Sequence, residues 1–162
     1  MVILTLHEDY KGKNMADEQN VWPSGKPTVG QKAELTRQVL KRDIEMFTAI
    51  SGDHNPLHYD EELAKNTKFG GIIVQGGITS AILNAAVAEK LPGPGTVFLH
   101  VDWNFKAPVR PGYRITGSVE VLKVRTDKPI TELKTTVSLE DGTVALDGKA
   151  LCYTMPLPHV DS

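Results

Sequence analysis

The chain has 162 residues, and 18 Lys+Arg against 20 Asp+Glu leave a formal charge of −2. That balance supplies no broad basic surface to neutralise phosphate backbones, which argues against a nucleic-acid binder and a polybasic membrane adaptor. With 40% hydrophobic and 23% charged residues the composition is that of a globular chain long enough for one core, and the lone Cys152 excludes an intramolecular disulfide framework or a multi-cysteine metal centre.

Residues 1–30 are polar, carry Pro23, Gly25, Pro27 and Gly30, and show no sustained period, so they read as an extended arm ahead of a single domain over 31–162. A strand is expected around Ala33–Val39. From Lys41 to Ile50 the apolar residues Ile44, Met46, Phe47 and Ile50 predict an amphipathic helix that Gly52 stops. A loop over Ser51–Tyr59 leads to a short helical stretch, Asp60–Lys65, with Asp60 as its N-cap. Gly76–Lys90 has almost no polar face before Glu89 and predicts a buried helix, kept thin by alanines and ended by Leu91-Pro92-Gly93-Pro94-Gly95. The period then becomes two: Val97, Leu99, Val101, Trp103 and Phe105 alternate with polar residues as in a half-buried strand. Three more strands follow, through Ile115–Val121, Leu133–Leu139 and Val144–Cys152, with turn residues at Pro108–Gly112, Asp127–Pro129 and Asp141-Gly142. The expected architecture is α+β, an antiparallel meander curved around a buried helix. Cys152, in Ala150-Leu151-Cys152-Tyr153, reads as core. Neither a signal h-region nor an apolar run near the roughly 20 residues of a membrane span is found, so a cytoplasmic protein with no membrane association is expected.

Two segments carry chemistry. In Ser51-Gly52-Asp53-His54-Asn55-Pro56-Leu57-His58 a carboxylate and an imidazole stand five residues apart across a turn. If Asp53 and His58 converge they can hold one water between a proton acceptor and a donor near neutral pH. Alternatively Asp53 and Asn55 only make Asx-type turn bonds while His58 caps a helix end. His54 and His58, four apart with Asp53 and Asp60 nearby, could suggest a metal, but Pro56 breaks the helix such a pair needs, and no metal is expected. The second segment is Gln75-Gly76-Gly77 at the head of the apolar helix, where free backbone N–H groups and the helix dipole could stabilise an oxyanion. The alternative there is close helix–strand packing.

Together with Leu91-Pro92-Gly93-Pro94-Gly95-Thr96 and Phe105-Lys106-Ala107-Pro108-Val109-Arg110-Pro111-Gly112, these segments resemble the MaoC-like, (R)-specific enoyl-CoA hydratases over about Gln31–Met155. The core Gly-Asp-x-Asn-Pro-Leu-His is the hydratase 2 signature. The resemblance implies a hot-dog fold, a long helix wrapped by an antiparallel sheet, and a homodimer. It implies syn hydration of a trans-2-enoyl-CoA to a (3R)-3-hydroxyacyl-CoA with no cofactor, an acyl-carrier-protein thioester being the other possible substrate. Asp53 and His58 fall in the catalytic positions and the Gly76 N–H at the thioester oxygen, with Asn55, Gln75, Gly77 and Asn84 expected to contact substrate. The favoured division has His58 withdraw a proton from water while Asp53 holds that water and relays a proton to C2. Lys106 and Arg110, beside the Pro108 turn, are candidate contacts to CoA phosphates.

The pattern departs from the family at three places: Gln75 stands where His is usual before the helix glycine, Asn84 where a small hydroxyl residue is common, and Tyr113 where Asp follows Pro-Gly. None touches Asp53 or His58. Two other readings stay open: a hot-dog thioesterase that activates water at the carbonyl, and a non-catalytic acyl-CoA-binding module.

Overall fold

The computed structural model describes residues 22–157. In chain order it contains β1 (Lys32–Gln38), α1 (Lys41–Ser51), a 3₁₀ turn (Pro56–His58), α2 (Glu61–Lys65), α3 (Gly76–Ala85), β2 (Thr96–Phe105), β3 (Arg114–Val124), β4 (Ile130–Leu139) and β5 (Val144–Thr154). The strands make one antiparallel sheet in the order β1-β3-β4-β5-β2. Ile78, Ile82 and Leu83 of α3 share one core with Ile115, Val119, Leu133, Val137 and Leu146 of the sheet, which is the expected helix within a sheet. Residues 1–21 of the expected arm lie outside the described residues. From Trp22 to Gly30 the chain buries the Trp22 and Pro27 side chains, and the Gly30 N–H donates to the Val121 carbonyl at 2.8 Å.

Local signals set the boundaries. The Asp43 carboxylate accepts the Leu40 N–H at 2.9 Å in the first turn of α1 and pairs with Arg37. Gly52 ends α1 at φ +74, a left-handed conformation that a side chain disfavours, and its N–H donates to the Thr48 carbonyl at 2.8 Å. Asp60 caps α2 by accepting the Leu63 N–H at 2.9 Å. Close packing of α1 on α3 depends on Gly77, where a Cβ would lie 2.1 Å from Phe47 Cζ.

Several expectations are corrected. On α1, Ile44 and Thr48 are buried and Phe47 half-buried, whereas Met46 and Ile50 are 61% and 83% exposed. Residues two apart on a helix do not share a face, so Met46 cannot point inward with Ile44. The buried helix is α-helical only to Ala85; residues 86–90 form a wider turn in which the Leu91 N–H reaches the Ala86 carbonyl at 2.9 Å. The meander holds for β3, β4 and β5, but β2 pairs with β5 at the sheet's edge and not with β3. Its Pro-rich link is no hairpin: Val109 C=O accepts from Val74 N–H, and Gly112 and Tyr113 exchange bonds with Val39 at the end of β1. Finally, Val97, Leu99, Val101 and Phe105 of β2 are all exposed, Val97 at 50% and Phe105 at 58%. A bulge at Leu99 shifts the alternation, so that Phe98 and Trp103 turn inward and meet edge to face at 5.7 Å.

Candidate active site

The loop after α1 is held from three directions at Asp53. Its N–H donates to Ser51 Oγ (3.1 Å), its carbonyl accepts from Thr48 Oγ1 (2.8 Å), and its Oδ1 accepts the Asn55 N–H (3.0 Å). Asn55 Oδ1 in turn accepts the Leu57 N–H at 3.1 Å, which winds the chain into the 3₁₀ turn ending at His58. Asp53 and His58 thereby converge, with Asp53 Oδ2 3.5 Å from His58 Nε2. The imidazole is buried and the carboxylate side chain partly open.

His58 Nδ1 lies 2.7 Å from the Ile73 carbonyl oxygen. A carbonyl only accepts, so Nδ1 carries a hydrogen, and in its neutral form the ring presents a lone pair at Nε2. Two acceptors then face each other at 3.5 Å, beyond a good direct hydrogen bond. A water donating one hydrogen to each satisfies both, and that water would be polarised by a carboxylate and a basic imidazole together. A cavity of ≈ 740 Å³ opens beside His58, between Ile44 of α1, Tyr59, Ile72 and Arg110.

The Ile73 carbonyl belongs to the segment leading into α3, so the same bond fixes the imidazole relative to the helix head. There the N–H groups of Gly76 and Gly77 precede the first bonded amide, Ile78 N–H to Gln75 C=O at 3.0 Å, and make no hydrogen bond among the described residues. Gly76 is exposed, and the nearest atom to a Cβ built there is Phe105 Cε1 at 3.1 Å.

Of the other expected site residues, Asn55 spends its side-chain oxygen on the turn. Gln75 is 2% exposed and turns its amide inward, Nε2 donating to Thr48 Oγ1 at 2.9 Å, so this nitrogen is committed inside the protein. Gly77 faces Phe47. Asn84 sits two turns along α3 on its exposed face and makes no hydrogen bond to the pair among the described residues. Arg110 does not reach outward for phosphate: it donates to the carbonyls of Ile72 (2.9 Å) and Phe69, clamping the 69–73 segment that carries the His58 acceptor, while Lys106 pairs with Asp147 at 3.0 Å. His54 is exposed, its ring 6.4 Å from that of Tyr59. Thr48 and the hydrogen-bonding roles of Ser51 and Tyr59 escaped the sequence argument, and Arg110 entered it in a different role. A polar Thr48 one turn after Ile44, in the middle of a buried stripe, was the available signal.

A hot-dog domain with a carboxylate–imidazole pair beside the head of its buried helix is the class that fold and site define. The chain belongs to the MaoC like domain family, whose family model matches residues 24–143. It is 37% identical over 123 residues to an (R)-specific enoyl-CoA hydratase of Aeromonas caviae, covering 76% of this chain and 92% of that protein. It is also 37% identical over 123 residues to a 3-hydroxybutyryl-CoA dehydratase of Methylorubrum extorquens, covering 76% and 78%. Among solved structures, the (R)-hydratase from Aeromonas caviae superposes with a TM-score of 0.75 at 36% identity over 79% of this chain and 97% of that one. An R-hydratase from Pseudomonas aeruginosa in the unliganded form gives 0.74 at 34% identity over 84% and 93%.

Proposed function

We propose that the protein is an (R)-specific enoyl-CoA hydratase, adding water reversibly and syn to a trans-2-enoyl-CoA to give a (3R)-3-hydroxyacyl-CoA. The observation that carries this reading is the approach of Asp53 Oδ2 to His58 Nε2, 3.5 Å apart with the ring's other nitrogen tied to Ile73. His58 Nε2 takes a proton from the water as its oxygen bonds to C3. The displaced π electrons move to the thioester oxygen, where the Gly76 N–H at the positive end of α3 receives them. Collapse of this enolate takes a proton at C2, relayed from His58 through the neighbouring Asp53. One water has then been divided between C3 and C2, and both side chains regain their starting states.

On this reading the protein acts on its acyl-CoA substrate as a homodimer. β2 is a ten-residue edge strand whose outer side pairs with no strand among the described residues, and it exposes Val97, Leu99, Val101 and Phe105, a combination that attracts another strand. The exposed stripe of α3 continues this surface, because Phe105 packs beside Gly76. Two β2 edges paired about a twofold axis would cover both. No helix among the described residues is long and apolar enough to cross a membrane. The free, buried Cys152 agrees with a reducing compartment, and the cytoplasm is the proposed location.

The test is a hydration assay over short to long trans-2-enoyl thioesters, on CoA and on acyl carrier protein, with chiral analysis of the product. A (3R)-3-hydroxyacyl thioester is expected. Release of free thiol would identify a thioesterase, a (3S) product would refute the stereochemistry, and binding without turnover would mark a non-catalytic acyl-CoA module.

A further inference from the structure

The Thr48 hydroxyl is the centre of a network in which every hydrogen bond has a determined direction. A hydroxyl gives one hydrogen and accepts two. The Asp53 carbonyl can only accept, so Thr48 donates to it, at 2.8 Å. Gln75 Nε2 can only donate and lies 2.9 Å away. Its second hydrogen faces the Ile44 carbonyl at 3.4 Å, and turning the amide over would set two carbonyl oxygens against each other. With Thr48's one hydrogen committed to Asp53, the Tyr59 hydroxyl, in short contact with Thr48 Oγ1, must donate as well. Thr48 is therefore saturated, and its backbone carbonyl also receives the Gly52 N–H that ends α1.

We propose that Thr48, oriented by Gln75 and Tyr59, is a positioning residue for hydration: it sets the Asp53 backbone and through it the spacing of Asp53 Oδ2 from His58 Nε2. The inference rests on Asp53 and His58 being the catalytic pair. Asp53 follows a left-handed glycine, and its other backbone bond goes to the exposed Ser51 hydroxyl, where water competes. The Thr48 bond is shielded, so it constrains the loop more strongly. Gln75 carries the same node to the head of α3, which registers the Asp53 loop against the Gly76 amide. Misplacing a reacting group by about 1 Å costs about 100-fold in rate.

The experiment compares T48V, T48S, Y59F, D53N and the double variant D53N/T48V in the full chain, with kinetics expressed per folded molecule. T48V removes the hydroxyl at nearly constant shape and is expected to lower kcat by about 10- to 100-fold with KM within about 3-fold. T48S keeps the hydroxyl and should stay within about 3-fold of the parent, and Y59F, which removes one of the two donors, should lose about 3-fold in kcat. In the D53N background T48V should cost no more than about 2-fold further, because a residue acting through Asp53 has nothing left to position. If T48V does not fold, T48A carries the same expectations. Unchanged kcat in T48V beside an inactive D53N would overturn the positioning role and leave the catalytic pair standing. A full additional loss in the D53N background would also overturn it, by revealing a general structural role. An active D53N would overturn the pair itself and this inference with it.

Discussion

Adjacent glycines at the head of α3 offer a sharp test, because the structure gives them opposite surroundings. At Gly76 an added Cβ would lie 3.1 Å from Cε1 of Phe105, an outer ring atom that need yield only a few tenths of an ångström; at Gly77 it would lie 2.1 Å from Cζ of Phe47, wedged between α1 and α3. Gly76→Val trades the ring's displacement against the lower chain entropy of a non-glycine residue in a helix, so its net cost should stay within about 1 kcal/mol, or about 2–4 °C in melting temperature. It keeps the N–H but puts branched methyls where the thioester oxygen must come within hydrogen-bond distance. Losing one oxyanion donor is worth about 100- to 1000-fold in kcat, and that loss is expected here with weakened substrate binding. Gly77→Ala should instead act chiefly on stability, by about 1–3 kcal/mol of overpacking. The assay pairs thermal unfolding with hydration kinetics normalised to folded protein. Near-parental kinetics in folded Gly76→Val would remove the amide from the site and leave Gly76 a packing residue only.

Asp53→Asn and His58→Ala should each lower kcat by about 100-fold or more with the fold retained by circular dichroism, and the double variant should be little worse than the more damaged single, since both serve one water. Sedimentation at micromolar concentration should give a dimer, and Val101→Lys on the β2 edge should shift it towards monomer with loss of stability; a monomeric parent would refute the pairing. Burial pushes the Cys152 thiol up from 9.0 to about 12. A thiol harder to ionise folded than unfolded contributes stability that is intact below pH 9 and is lost as pH rises from about 9 towards 12, at up to about 1.4 kcal/mol per pH unit. The stability gap between the parent and Cys152→Ala should therefore narrow over that interval, and a pH-independent gap would show that the thiol does not titrate differently in the two states.

The fold was legible wherever one period ran unbroken. β1 and β4 alternate without interruption on their buried faces, β3 does so from Ile115 to Val121, where a bulge at Leu122 ends the run, and Ile78, Ile82 and Leu83 mark the core face of α3. Reading failed where a single residue changes the phase. Extra residues at Leu99 in β2, at Leu122 in β3 and at Ala145 in β5 reverse which residues face inward, and periodicity carries no mark of these bulges. The placement of β2 beside β5 was equally hidden, because a Pro-rich link of a few residues suits a turn or a crossover alike, and only its bonds to Val39 and Val74 distinguish them. On α1 the error was of another kind: counting apolar residues admitted Met46 and Ile50 to the stripe and passed over Thr48, although helical geometry places Thr48, and not Met46, below Ile44.

At the site, the residues of the Asp53 loop suit two readings, an Asx turn or a catalytic pair. In the structure the two oxygens of the Asp53 carboxylate have different partners. Oδ1 accepts the Asn55 N–H and builds the turn, and it is this turn that leaves Oδ2 facing His58. Asn55 continues the same logic at Leu57, and the resulting 3₁₀ turn buries the imidazole against Ile73. Residue types alone treat turn-making and chemistry as competing explanations because each residue is counted once. At atomic level the turn is the means by which the pair is placed, so replacing Asn55 by Ala should lower activity through Asp53 and His58 even though the Asn55 side chain spends its oxygen on the backbone. An activity loss that a Ser or Asp at position 55 restores, as the other side chains able to accept the Leu57 N–H, would separate that role from a direct contact with substrate, which a change of side chain would not recover.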